Sequence, residues 1–152
     1  MMLVIGYGNP GRMDDGLGPA FAARIAAAQL PGIEASQDYQ LTVEHALALA
    51  GTDVVVFADA AIGASAPFEF GPLQPAEDGD LSSHSLSPAG LLSLCRTVFG
   101  VVPDAHVMAI SGVAFGDVAE GLSPQAAQNL DRAVAFFTRW VAGCRVRATV
   151  EG

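Results

Sequence analysis

Residues 3–18 run from a short apolar stretch, Leu3 to Ile5, into a glycine-rich loop that carries two adjacent carboxylates, Asp14 and Asp15, and then into a helical pattern. A buried-type strand feeding a loop and a helix is the opening unit of an α/β protein. Gly6-Tyr7-Gly8-Asn9-Pro10-Gly11 satisfies the G-x-G-x-x-G spacing of dinucleotide sites. In such a site, however, the pyrophosphate rests on bare amides at the helix start. Here Asp14 and Asp15 would set negative charge beside it, so the loop suits a cation better than a phosphate. One of the pair is expected to cap the first helix, and the other, Asp15, to face a cleft.

The rest of the chain repeats the alternation. Gly18 to Leu30 has Phe21, Ile25 and Ala28 at helical spacing, and Ile33 to Ser36 is a weaker extended segment. Thr42 is placed to cap a second helix through Leu47 to Ala50, which Gly51 ends. Asp53 to Asp59, Asp-Val-Val-Val-Phe-Ala-Asp, is the strongest strand pattern and leaves Asp59 at its carboxyl end. Pro67 to Pro72 alternates faces between prolines, as an edge strand does. Gln74 to Ser83 is polar, acidic and aperiodic, an exposed loop that leads to His84. Ser87-Pro88 opens a helix that Gly100 ends, Ala105 to Val113 is a further buried strand, and Ser123-Pro124 opens the last helix. The expected fold is α/β: a single three-layer domain over residues 1–152, with a mostly parallel twisted sheet of about five strands and helices on both faces.

Composition narrows the partners. A formal charge of −9 without any basic run argues against nucleic acid or an anionic membrane as partner. No apolar run approaches the roughly 20 residues of a membrane span. The first residues carry no charged, apolar and small-residue leader pattern, which sets a cytoplasmic expectation. Cys95 and Cys144 lack metal or redox spacing and read as buried reduced thiols.

Ligands of an open α/β sheet collect at the carboxyl ends of its strands. Three polar elements fall there: Asp14 with Asp15, then Asp59, then His84. A carboxylate ending a Val-Val-Val-Phe strand sits at the rim of the core and needs a donor or cation, with a cap or turn role as the simpler alternative. His84, between serines, is either a surface histidine or a ligand. Asp15, Asp59 and His84 together make a divalent-metal set suited to nickel or zinc. His45 and His106 read as structural or exposed. No Gly-x-Ser-x-Gly nucleophile elbow occurs. A nucleotide-binding module, with Glu34 at the ribose-acid position, is an alternative reading.

The stretch from Gly6 to Pro19 resembles the signature loop of the hydrogenase maturation endopeptidases, which trim the large subunit of nickel-iron hydrogenases. Further matches are the Asp59 strand end, the Ser-His element at His84 and Gly121 to Pro124, so the resemblance covers nearly the whole chain. It implies an aspartyl-type endopeptidase, a hydrolase that removes a C-terminal peptide from the nickel-loaded large-subunit precursor. It further implies that Asp15, Asp59 and His84 are both metal-binding and catalytic, with the nickel carried by the substrate. A nickel-dependent escort that does not cleave is the alternative with the same cleft. The loop from Gly112 to Gly121 departs from the Gly-Ile-x-Pro sequence of the more familiar members. It looks more like that of proteases serving soluble cytoplasmic hydrogenases.

Overall fold

A computed structural model describes residues 1–77, 86–116 and 118–151, with side chains described as far as Cys144. The elements in chain order are β1 (Met2–Tyr7), a 3-10 turn (Met13–Gly16), α1 (Leu17–Ala28), β2 (Ile33–Asp38), α2 (His45–Ala50), β3 (Val54–Ala61), β4 (Phe68–Pro72), α3 (Pro88–Phe99), β5 (Asp104–Ser111) and α4 (Pro124–Glu151). The strands form one five-stranded sheet in the order β2-β1-β3-β5-β4. β2, β1, β3 and β5 are parallel, and β4 is an antiparallel edge strand bracketed by Pro67 and Pro72. The α/β expectation is met, because each apolar run is buried on both faces and each intervening helix covers it.

The alternation of side chains along the strands divides the core in two. Val4, Val56, Ala58, Met108 and Ile110 face α1 and α4, where Phe21, Ile25, Leu130 and Phe137 pack on them. Leu3, Ile5, Val55 and Phe57 face the other way, toward Leu49 of α2 and Leu91, Leu92 and Cys95 of α3. Cys95 is buried as expected, and Cys144 is half-buried.

Two glycines bring α1 unusually close to the sheet. A Cβ on Gly18 would collide with the carbonyl oxygens of Tyr7 and Ala58, and one on Gly6 with the carbonyl of Gly18. The first turn of α1 therefore lies directly on backbone, at the level where β1 and β3 end.

Helix ends follow the sequence at both ends of α3 and at the start of α4, and depart from it at the starts of α1 and α2. The Ser87 hydroxyl accepts from Gly90 N–H at 3.0 Å and Pro88 takes the first position of α3, with Gly100 left-handed at φ 73° beyond its end. Ser123 Oγ accepts from Ala126 N–H at 3.2 Å at the start of α4. Thr42 does not cap α2; its N–H donates to Nδ1 of His45 at 3.0 Å, and its hydroxyl lies 3.2 Å from the same nitrogen. Neither Asp14 nor Asp15 caps α1, whose N-cap is Gly16. The 3-10 turn intervenes and turns both carboxylates elsewhere.

Asp14 is turned inward. Its side chain is fully buried and accepts from Val113 N–H (2.9 Å), Ala114 N–H (2.9 Å), Ser123 N–H (2.7 Å) and Ser123 Oγ–H (2.7 Å). Its own N–H donates to the carbonyl of Ala114 at 2.9 Å, and Met13 N–H to that of Ala119 at 2.8 Å. This claim on the amides of Val113 and Ala114 explains why β5 stops at Ser111 rather than at the expected Val113. A Cβ on Gly112 would lie 2.9 Å from Asp14 Cβ and 2.6 Å from Phe115 Cζ, so that residue is held to glycine. Burial acts to raise the Asp14 carboxyl, and the donors, Ser123 N–H first, more than offset it and hold the group below the usual carboxylate range.

Asp14→Asn keeps the shape but must turn an amide NH2 toward at least one buried N–H. The expected cost is on the order of 3 kcal/mol, a fall in Tm of roughly 6–12 °C for a chain of this size. Because the folded carboxyl lies below its unfolded value, its stabilisation is complete above about pH 4 and is lost as the pH falls through the depressed value. The gap between wild type and variant, followed by thermal melts against pH, should therefore close in acid.

Candidate functional site

The strand order reverses between β1 and β3: from β1 the chain passes outward to β2, then returns to β3 on the other side. At such a switch point the loops leaving two neighbouring strands diverge and open a crevice. The loop after β1 supplies Asp15, and β3 supplies Asp59 near its carboxyl end. Gly6 is paired with Ala58, so the next residues along, Tyr7 and Asp59, stand side by side on the face that carries α2 and α3.

Asp15 is half-buried, and its Oδ2 accepts from Asn9 N–H at 3.0 Å. Met13, two residues before it, is held in the left-handed region at φ 51°. A non-glycine residue pays for that conformation, and the Met13 bond to Ala119 fixes it. The turn is therefore clamped on both sides of the carboxylate.

Asp59 is half-buried, with the phenol of Tyr7 and Ala60 N–H as donors beside its carboxyl. Burial pushes its carboxyl up to about 6; the two donors pull against that, and the nearby charge of Asp15 adds to the rise. Burial, with the Asp59 carboxylate beside it, pushes the Tyr7 phenol above its ordinary value. Among the described residues no cationic side chain forms an ion pair with either carboxylate. Two like charges in a partly desolvated crevice favour the arrival of a cation or the retention of a proton.

The structure thus brings Asp15 and Asp59 together. His84 lies outside the described residues, as does most of the acidic segment before it. Among the described residues no three metal-type side chains converge. The sequence reading had passed over two neighbours. Tyr7 was hidden inside the glycine motif, although its alternation with Leu3 and Ile5 points it to the same face as Asp59. Asp38 ends β2 at the same sheet edge, where its Oδ2 is 3.2 Å from both Ser36 Oγ and His45 Nε2. Thr42 N–H can only donate, so Nδ1 of His45 accepts and Nε2 carries the proton toward Asp38. His106 is structural, stacked on Phe70 at 5.3 Å between ring centroids and edge-on to Trp140 at 4.9 Å.

The nucleotide alternative loses its donors. The amides a pyrophosphate would need are spent inside the loop: Gly8 N–H on the Asp38 carbonyl (3.0 Å), Asn9 N–H on Asp15, Gly11 N–H on Asn9 Oδ1 (2.9 Å) and Arg12 N–H on the Asn9 carbonyl (3.1 Å). Glu34 is exposed within β2, opposite Leu3, rather than at the strand's carboxyl end.

No protein-family model and no curated protein matches the sequence. Solved structures do match the fold. The hydrogenase maturating endopeptidase HybD from Escherichia coli superimposes with a TM-score of 0.72 at 19% identity, covering 94% of this chain and 93% of that one. The [NiFe] hydrogenase maturation protease HycI from Thermococcus kodakarensis gives 0.69 at 21% identity, covering 91% of this chain and 90% of that one. A hydrogenase 2 maturation peptidase from a Thaumarchaeota archaeon gives 0.68 at 20% identity, with 92% and 97% covered. The chain has the fold of the hydrogenase maturation proteases.

The raised Asp59 carboxyl carries a testable cost. Between about pH 4, where an unfolded aspartate titrates, and about 6, the folded protein binds the extra proton, so stability falls as the pH rises through that window. Asp59→Asn should therefore be more stable than wild type at neutral pH, by on the order of 2 kcal/mol, with the advantage vanishing toward pH 4. Denaturant melts of both proteins across this range check the sign.

Proposed function

We propose that this chain, built on the maturation-protease fold, is an endopeptidase that removes the C-terminal peptide of a nickel-loaded nickel-iron hydrogenase large-subunit precursor. Residues 1–152 would form one such domain, acting in the cytoplasm. The observation that carries the proposal is the meeting of Asp15 and Asp59 at the switch point of this fold, two like charges without a cationic partner among the described residues. No described helix is long and apolar enough to cross a membrane.

In this proposal Asp15, Asp59 and His84 receive the nickel that the precursor brings. Carboxylate oxygens and an imidazole are donors that nickel accepts. Binding the substrate by its cargo holds the adjacent peptide in one pose, and the gain is chiefly proximity. A water attacks the scissile carbonyl carbon while one carboxylate takes its proton. That proton is then delivered to the departing amine as the carbon–nitrogen bond breaks. Along the outer side of the signature loop, a cavity of about 230 Å³ lined in part by Pro10, Met13, Pro19 and Leu122 offers apolar contact for substrate side chains.

Recognition by cargo also gives order to the process. A precursor without nickel presents nothing to neutralise the two carboxylates, so its entry is penalised as well as unrewarded.

Intact mass spectrometry of the cognate precursor, nickel-loaded and nickel-free, tests the proposal. The loaded form should lose a C-terminal peptide with wild type, and processing should fall to background with His84→Ala or Asp15→Ala. Cleavage of the nickel-free form, or normal cleavage by either variant, would refute the site assignment. A stable complex whose precursor mass never changes would favour the escort.

A further inference from the structure

We propose that Tyr7 is a positioning residue for Asp59, its phenol fixing the direction of that carboxylate in the cleavage reaction; this rests on the function proposed above. The strand register sets the two residues side by side, since Gly6 pairs with Ala58. The register sets the phenol beside the Asp59 carboxylate as a donor that favours its ionised form, and Ala60 N–H acts on it in the same sense.

The ring is held from several sides. It packs on the core cluster formed with α2 and α3, which includes Ile5, Phe57 and Leu91. The backbone on either side of it is pinned: Gly6 lies against the Gly18 carbonyl, and Gly8 N–H donates to the Asp38 carbonyl at 3.0 Å, with Gly8 at φ 142°. A side chain anchored in this way delivers its hydroxyl to one point.

Asp59 needs such a donor. Asp15 repels it, and no cationic side chain among the described residues holds it, so without the phenol its carboxylate would turn away from its neighbour. An ionised carboxylate has about four acceptor sites. The phenol and the Ala60 amide can fill two of them and leave the remainder for a cation or the attacking water. Partners of this kind orient a ligand carboxylate without touching what it binds.

Tyr7→Phe separates the hydroxyl from the ring, because the packed phenyl remains. With the nickel-loaded precursor, kcat should fall about 10- to 100-fold, while KM stays within about twofold and the Tm stays near that of wild type. A wild-type kcat, or a raised KM with kcat unchanged, overturns the proposal. A second measurement does not depend on cleavage. Carbon-13 NMR of aspartate-labelled protein, with the Asp59 carboxyl signal identified by its loss in Asp59→Asn, should show that signal displaced in Tyr7→Phe at neutral pH. An unmoved signal overturns the contact itself. If wild type leaves the precursor intact, the proposed function fails, and the carboxyl signal still decides whether Tyr7 holds Asp59.

Discussion

The buried carboxylate of Asp14 holds in place the loop that carries Asp15. It ties the loop after β1 to the loop after β5 through three backbone amides and a hydroxyl, across about a hundred residues of sequence. A buried charge is tolerable only when its acceptor sites are filled, and here the donors are backbone groups that would themselves be orphaned without it. The mutual dependence gives the bond its leverage. The 3-10 turn, the start of α4 and the end of β5 all take their positions from it, and Asp15 inherits its place as the next residue along the same turn.

Three aspartates within reach of one sheet edge thus do three different things. Asp14 is fully desolvated and fully satisfied, so it stays ionised and serves as a fastening. Asp15 is half-buried with one amide on one oxygen. Asp59 is half-buried beside another negative charge, and it holds a proton far more readily than an aspartate in water. Residue type is the same throughout; the supply of donors and the nearness of like charge distinguish them.

Much of this was legible in the sequence. Runs such as Val54 to Phe57 carry their own evidence of burial, and Ser87-Pro88 and Gly100 mark helix ends by local chemistry alone. Asp59 could be placed because a carboxylate that ends an apolar strand has few places to be. The role of Asp14 could not, since its donors are a hundred residues away and a carboxylate before a helix ordinarily reads as a cap. Thr42 misled for a related reason: its amide met His45 before its hydroxyl could serve the helix. Tyr7 escaped notice because a glycine motif draws attention to its glycines, while the partner that gives the phenol meaning lies on a strand some fifty residues later. For His84, nothing in the described residues adds to what its sequence neighbours suggest.

The aromatic cluster on the opposite face has an optical consequence. Trp140, the chain's one tryptophan, lies against Phe70 at 5.0 Å, His106 at 4.9 Å and Phe137 at 6.0 Å between ring centroids. His106 is paired with Val56 and Pro72, toward the amino end of β5. The indole therefore sits across the sheet from Asp15 and Asp59 and away from the edge where they meet. Its emission registers whether the last helix is seated on β4 and β5, and is blind to what occupies the crevice. The protein carries an intrinsic lamp for its own folding, and light from the crevice would have to come from a label placed there.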